Sequence, residues 1–125
     1  MEIFATNFLD TYSVNGHSIK YSNFIEIAQG GPEVGALAID GKTIGVKGDY
    51  FGGPPAFFKD YIFVPRLNKA LLRRYFKICV INLSDRSIKE IGDKEELALI
   101  SKVDETSVYF FRENPNVKLK SIRWN

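Results

Sequence analysis

The sequence predicts a mainly β chain: a single-domain antiparallel meander, sandwich or partly open barrel, with one or two short helical turns. Three observations predict it. From Tyr75 to Leu83 (YFKICVINL) the chain is apolar on both parities, as in a strand buried on two faces. Strong turn signals (Asn15-Gly16, Asp40-Gly41, Asn114-Pro115-Asn116) break the chain into short segments, spaced roughly as in all-β domains. The composition, with 10 Phe and 6 Tyr against one Trp and one Met, favours sheet.

Taken in order, residues 1–10 fit either a short helix or a strand. TYSV and HSIKYS flank Asn15-Gly16, a pair suited to the positive φ of a type I′ turn, and so read as a hairpin. Phe24–Ala28 reads as a third strand. Gln29–Glu33 (QGGPE) is a break. Val34–Ile39 and Lys42–Val46 form a second hairpin around Asp40-Gly41, with Gly35 and Gly45 marking bulges or a close approach of another backbone. Lys47–Pro55 (KGDYFGGPP) is a loop, unusual in carrying Tyr50 and Phe51. Phe57–Val64 is an aromatic strand that Pro65 ends.

Arg66–Arg74 fits a helical turn, with Leu67, Leu71 and Tyr75 four residues apart and Asn68 as a cap, or an extended lead into the central strand. Ser84-Asp85 reverses the chain into Ser87–Ile91. Asp93 and Glu96 have the spacing of a capping box for a second helical turn. Leu97–Val103 and Ser107–Phe111 are strands around Asp104-Glu105-Thr106. Val117–Trp124 reads as an edge strand whose lysines discourage further pairing.

The 125 residues suffice for one domain with its own core. Formal net charge is +2, too small to demand a nucleic-acid or membrane partner. Its distribution is uneven: residues 1–62 carry four Lys/Arg and seven Asp/Glu, and residues 63–125 carry thirteen and eight. Arg66, Lys69, Arg73 and Arg74, with Lys118, Lys120 and Arg123, are the candidate basic patch. Cys79 is the lone cysteine, so no intrachain disulfide forms. The N-terminus lacks the basic and apolar regions of a secretory signal, and no apolar run reaches the ~18 residues of a membrane span. A cytoplasmic protein is expected, with no membrane partner.

Chemistry is sparse. One His and one Cys supply no metal site, so neither metal nor cofactor is expected. His17 reads as a hairpin residue and Cys79 as a buried, inert thiol. No nucleotide or nucleophile-elbow fingerprint is present. Asp49 and Asp60 bracket the Gly52–Pro55 loop, but sequence fixes no separation for an acid–base pair. Three function classes stay open. The first is a non-enzymatic protein-binding module, presenting Tyr50 and Phe51 near the Gly30-Gly31-Pro32 and Gly52–Pro55 loops, with Phe57 and Phe58 either beside them or in the core. The second is a small enzyme or ligand-binding barrel whose pocket is lined by Tyr50, Phe51 and Tyr61. The third, less favoured, is a nucleic-acid-binding module that stacks Tyr75 and Phe76 beside Arg73 and Arg74.

This build of a short, leaderless, sheet-dominated chain, with loops such as GDYFGGPPAFF and IGDKEEL, looks like the immunity proteins of bacterial polymorphic toxin systems, contact-dependent inhibition among them. The resemblance implies stoichiometric neutralisation of a cognate toxin protein, such as a nuclease, by covering its active site or an adjacent surface. Against a basic nuclease the acids Asp93, Glu95, Glu96, Asp104 and Glu105 would face the partner. The overall positive charge departs from that pattern.

Overall fold

The computed structural model describes residues 9–27, 33–70, 73–112 and 119–125. The first eight residues, the Gly30-Gly31-Pro32 loop and the Asn114-Pro115-Asn116 turn lie outside them, as do Lys118 and the side chains of Lys69 and Arg73.

Among the described residues twelve strands form two antiparallel sheets. They are β1 (Thr11–Val14), β2 (His17–Glu26), β3 (Glu33–Ile39), β4 (Lys42–Thr43), β5 (Tyr50–Phe51), β6 (Ala56–Phe58), β7 (Tyr61–Ala70), β8 (Arg73–Asn82), β9 (Ile88–Glu95), β10 (Leu99–Val103), β11 (Ser107–Phe111) and β12 (Leu119–Arg123). The larger sheet has nine strands in the order β1-β2-β3-β5-β7-β8-β9, with β4 on β3 and β6 on β7. It is not closed into a barrel. The smaller sheet is the meander β10-β11-β12.

The run around Cys79 is the backbone of both cores, as its apolarity on both parities requires. Cys79, Ile81 and Leu83 join Ile62 and Val64 from β7 and Ile19, Tyr21, Leu37 and Ile39 from β2 and β3. Strands far apart in one sheet share this core, so the sheet bends back over it. Residues of the other parity, Phe76, Ile78 and Val80, pack with Phe63 and Leu67 against Ile100, Val108 and Phe110 of the smaller sheet.

Several expectations are corrected. The single aromatic strand expected over Phe57–Val64 is broken at Lys59-Asp60 into the paired strands β6 and β7, and within the expected Lys47–Pro55 loop Tyr50–Phe51 forms β5. No helix occurs among the described residues. Arg66–Ala70 lies in β7 and Arg73–Arg74 in β8, which pair with Leu67 opposite Phe76 and Asn68 opposite Tyr75, while Leu71 lies outside the described residues. Leu67 and Phe76 are both buried, so core packing overrides the helical spacing. The Asp93–Glu96 capping box is likewise overridden, because β9 runs through to Glu95. Phe24 does not open a third strand. It continues β2 past a bulge where Asn23 (φ 53°) and Phe24 oppose Gly35. A Cβ on Gly35 would lie 3.2 Å from the Phe24 ring and 3.0 Å from the Ser22 carbonyl oxygen, so the close approach expected there is real.

Pro65 does not end its strand, which continues through it to Ala70. Its carbonyl accepts the Gly52 amide at 2.8 Å, so its missing N–H points to the same side, the gap between β5 and β6. The β8 ladder on the other side loses nothing there. The hairpins at Asn15-Gly16 and Asp40-Gly41 form, with positive φ at all four residues, but the strand expected over Lys42–Val46 ends at Thr43 and leaves Val46 in the loop that follows. The β8–β9 hairpin, the β10–β11 turn and the edge position of β12 are as expected.

Candidate functional site

Between β4 and β5 the chain runs Ile44-Gly45-Val46-Lys47-Gly48-Asp49, and Asp49 organises it. Its Oδ2 accepts the Val46 amide at 2.9 Å, while its own amide donates to the Val46 carbonyl at 3.0 Å. The same oxygen takes Arg66 Nη2 at 2.8 Å, and Arg66 Nη1 lies 3.6 Å from Glu90 on β9. Burial, the largest single influence, opposes the guanidinium's charge, but the hydrogen bond and the charge of Asp49, with smaller contributions from Cys79 and Glu90, together outweigh it and raise the Arg66 pKa. Gly45 is required: its φ is +76°, and a Cβ there would collide with the Asp49 carboxylate. Ile44 is buried in the core at the loop's entry.

The result is a fixed loop that holds Val46 out in water, 71% exposed. It forms one wall of an open groove of about 530 Å³. Ser22 and Ala36, a cross-strand pair with small side chains, line the groove with Thr43, Asn23 and Tyr50. Ile25, 39% exposed, lies just past the Asn23 bulge. The groove's own lining joins Val46 and Tyr50 to a mixed interior, and Ile25 lies outside that lining.

Of the sequence-derived candidates, Tyr50 lines this groove. Phe51 does not. It is fully buried in the core, with Arg66 Cζ 6.0 Å from its ring centroid, so it offers no contact surface. Strand alternation turns the two neighbours to opposite faces. The expected pocket of Tyr50, Phe51 and Tyr61 does not form, because Tyr61 packs instead at 5.2 Å from the Trp124 ring. The Gly52–Pro55 loop is packed inward, with a cis Gly53-Pro54 bond and the Tyr21 hydroxyl donating to the Gly52 carbonyl at 2.9 Å. Phe57 and Phe58 are half-buried against the two cores.

The acids divide. Glu95 is buried at 4% exposure and bound to Arg112 (2.7 Å) and Lys120 (3.2 Å), which corrects its assignment to a contact surface. Asp93 and Glu96 are exposed at the end of β9, and Asp104 and Glu105 in the β10–β11 turn. Asp104 accepts the amides of Thr106 and Ser107 and the Tyr109 hydroxyl, which hold its pKa below the usual carboxylate range.

The basic patch is also divided. Arg66 is taken by carboxylates, and Arg74 donates to the Ile27 carbonyl. Phe76 is buried, and Lys94 Nζ sits 4.8 Å over the Tyr75 ring, so the stacking pair beside Arg73 and Arg74 is not assembled. Asp49 and Asp60 do not face one another as an acid–base pair: Asp49 serves Arg66, and Asp60 accepts from Asn15 at 3.1 Å. His17 Nδ1 lies 2.6 Å from Asp40 Oδ2, bracing the turns that follow β1 and β3. Burial pushes the Cys79 thiol up to about 12, consistent with an inert side chain. Among the described residues no three His, Cys, Asp or Glu side chains gather as a metal cluster, and no helix is long and apolar enough to cross a membrane.

Sequence reading missed Val46, Asn23 and Ile25. The signal was the GVKGD run: glycines at 45 and 48 flank an apolar residue that has no partner strand. No protein-family model matches the chain, and no curated protein or solved structure shows significant similarity to it.

Proposed function

We propose that this chain is a protein-binding module that works without turnover, and that its partner docks on the groove between the Val46 loop and the Asn23 bulge. The single observation that carries the reading is Val46: an apolar side chain 71% exposed on a loop fixed by Asp49 and Arg66. An apolar group held rigidly in water costs no ordering when a partner covers it, and that preorganisation favours binding. Tyr50 and Ile25 add aromatic and aliphatic area of the kind found in interface centres. The finer reading is an immunity protein that neutralises a cognate bacterial toxin domain. It rests on the likeness of build and on the exposed Val46. The acids left on the surface, Asp93, Glu96, Asp104 and Glu105, would contribute at the margin of a basic partner.

The test is co-expression with the product of the neighbouring gene. A one-to-one complex that abolishes that product's toxicity is expected. Val46→Asp weakens the complex roughly tenfold or more, a loss of about 1.4 kcal/mol. A stable complex unaffected by Val46→Asp removes the groove from the reading, and no complex at all removes the immunity function.

A further inference from the structure

A second cleft, of about 300 Å³, opens where the smaller sheet stops covering the larger one. Its wall is Trp124, just past β12, and its other side includes Tyr61, Val80, Asn82 and Lys89. The indole is fixed. Its Nε1 donates to the Asp104 carbonyl at 2.8 Å, and its ring lies 5.2 Å from Tyr61 and 5.0 Å from Phe63. Lys89 pairs with Val80 across β8 and β9 and so shares the face that packs against the second layer. Beyond the reach of that layer it is left exposed, and among the described residues it forms no salt bridge. Asn82 Oδ1 accepts the Ser84 amide at 2.8 Å, which orients the amide and leaves its NH₂ as the unspent group. The nearby carboxylates are committed elsewhere: Asp85 accepts the Ser87 amide at 2.9 Å, and Asp104 is held by Thr106, Ser107 and Tyr109.

The cleft thus sets the rings of Tyr61 and Trp124 and the edge of Val80 beside a polar side made of the Lys89 cation, the Asn82 amide, Ser87 and Asn125. The geometry points to a binding site for a small aromatic carboxylate, whose ring lies against Trp124 and Val80 and whose anion meets Lys89 and Asn82. Aromatic and apolar walls with a few convergent polar groups are the usual composition of small-molecule sites, and an ionised acceptor strengthens each donor's bond. This site is independent of the Val46 groove.

Trp124 is the chain's only tryptophan, so its emission reports on the cleft alone. The full chain is titrated with sodium benzoate, and with benzamide as the neutral isostere, using N-acetyltryptophanamide to subtract collisional quenching. A saturable change with benzoate is expected, at least tenfold weaker with benzamide. Lys89→Gln, at an exposed position, should weaken benzoate at least tenfold and leave benzamide unchanged, with the melting temperature as the check on folding. No saturable change, equal binding of benzamide, or a Lys89→Gln variant that binds benzoate normally each overturns the site.

Discussion

Glu95 Oε1 accepts Arg112 Nε at 2.7 Å, and through this pair the end of β9 is tied to the residue that follows β11. Lys120 of β12 takes the other oxygen at 3.2 Å. Glu95 is the one buried charged side chain among the described residues, while both its partners retain access to water. The cost of breaking the triad therefore depends on which side is removed.

Glu95→Gln leaves two cations that water can reach, and the expected loss is about 1–2 kcal/mol. Arg112→Met with Lys120→Met strands a buried carboxylate, and the expected loss is about 3–5 kcal/mol. The triple variant with Glu95→Leu should recover most of that, because an apolar replacement needs no desolvated charge. Urea denaturation of the three variants measures the ordering. A double variant no less stable than Glu95→Gln would show that water reaches Glu95.

Cys79 and Tyr21 set the alkaline limit. Burial raises both, Cys79 to about 12 and Tyr21 well above 10.0, with a smaller contribution from the Tyr12 charge in the second case. An acid whose folded pKa is raised binds its proton in the folded state after the unfolded chain has lost it. Stability is therefore full below the unfolded thiol's pKa near 9.0 and falls as pH rises towards 12, by up to about 1.4 kcal/mol per pH unit for one such group. Cys79→Val should flatten the thermal-stability profile between pH 9 and 10, leaving the fall above 10 that belongs to Tyr21. The native thiol should also resist iodoacetamide at pH 8 and react once the chain is unfolded in urea. Rapid native labelling would contradict the burial of Cys79.

Asp104 works in the opposite direction. Amides of Thr106 and Ser107 and the Tyr109 hydroxyl favour its charged form, so its folded pKa lies below 3.8. That contribution is present above the usual carboxylate range and is lost as pH falls through the depressed folded value. Asp104→Asn should lower the melting temperature at pH 7 and narrow the gap to the parent chain as pH drops below 4. A gap of constant size down to pH 2 would mean that the turn is held by hydrogen-bond geometry rather than by charge.

What could be read in the sequence was whatever is local or two-sided. Asn15-Gly16 and Asp40-Gly41 specify their own turns through positive φ. The Cys79 run declares two cores because both of its parities are apolar. What could not be read depended on partners distant in sequence. Leu67 and Asn68 carry helical spacing, yet they lie in a strand because Phe76 and Tyr75 stand opposite them. Pro65 looks like a terminator until β7 is seen to change neighbours at that point. The candidate site failed for the same reason. Tyr50 and Phe51 are adjacent, and only the pairing of β5 with Leu67 and Arg66 of β7 decides which of them faces outward. Glu95 looks like its exposed neighbours until Arg112 and Lys120 close over it.

The Val46 loop gives the last test, because its rigidity is an assembled property of Asp49, Arg66 and Gly45. Arg66→Met removes the guanidinium, whose Cζ lies 6.0 Å from the Phe51 ring centroid, and keeps an apolar stem. Asp49 and Glu90 then face one another without the intervening charge, and about 1–2 kcal/mol of stability should be lost. Gly45→Ala should cost a comparable amount, through its φ of +76° and the clash with the Asp49 carboxylate. In both variants limited proteolysis should shift to the bond after Lys47, which the fixed loop should protect in the parent chain although Lys47 is exposed. If cleavage there is already fast in the parent chain, the loop is not preorganised, and Val46 loses its standing as an anchor.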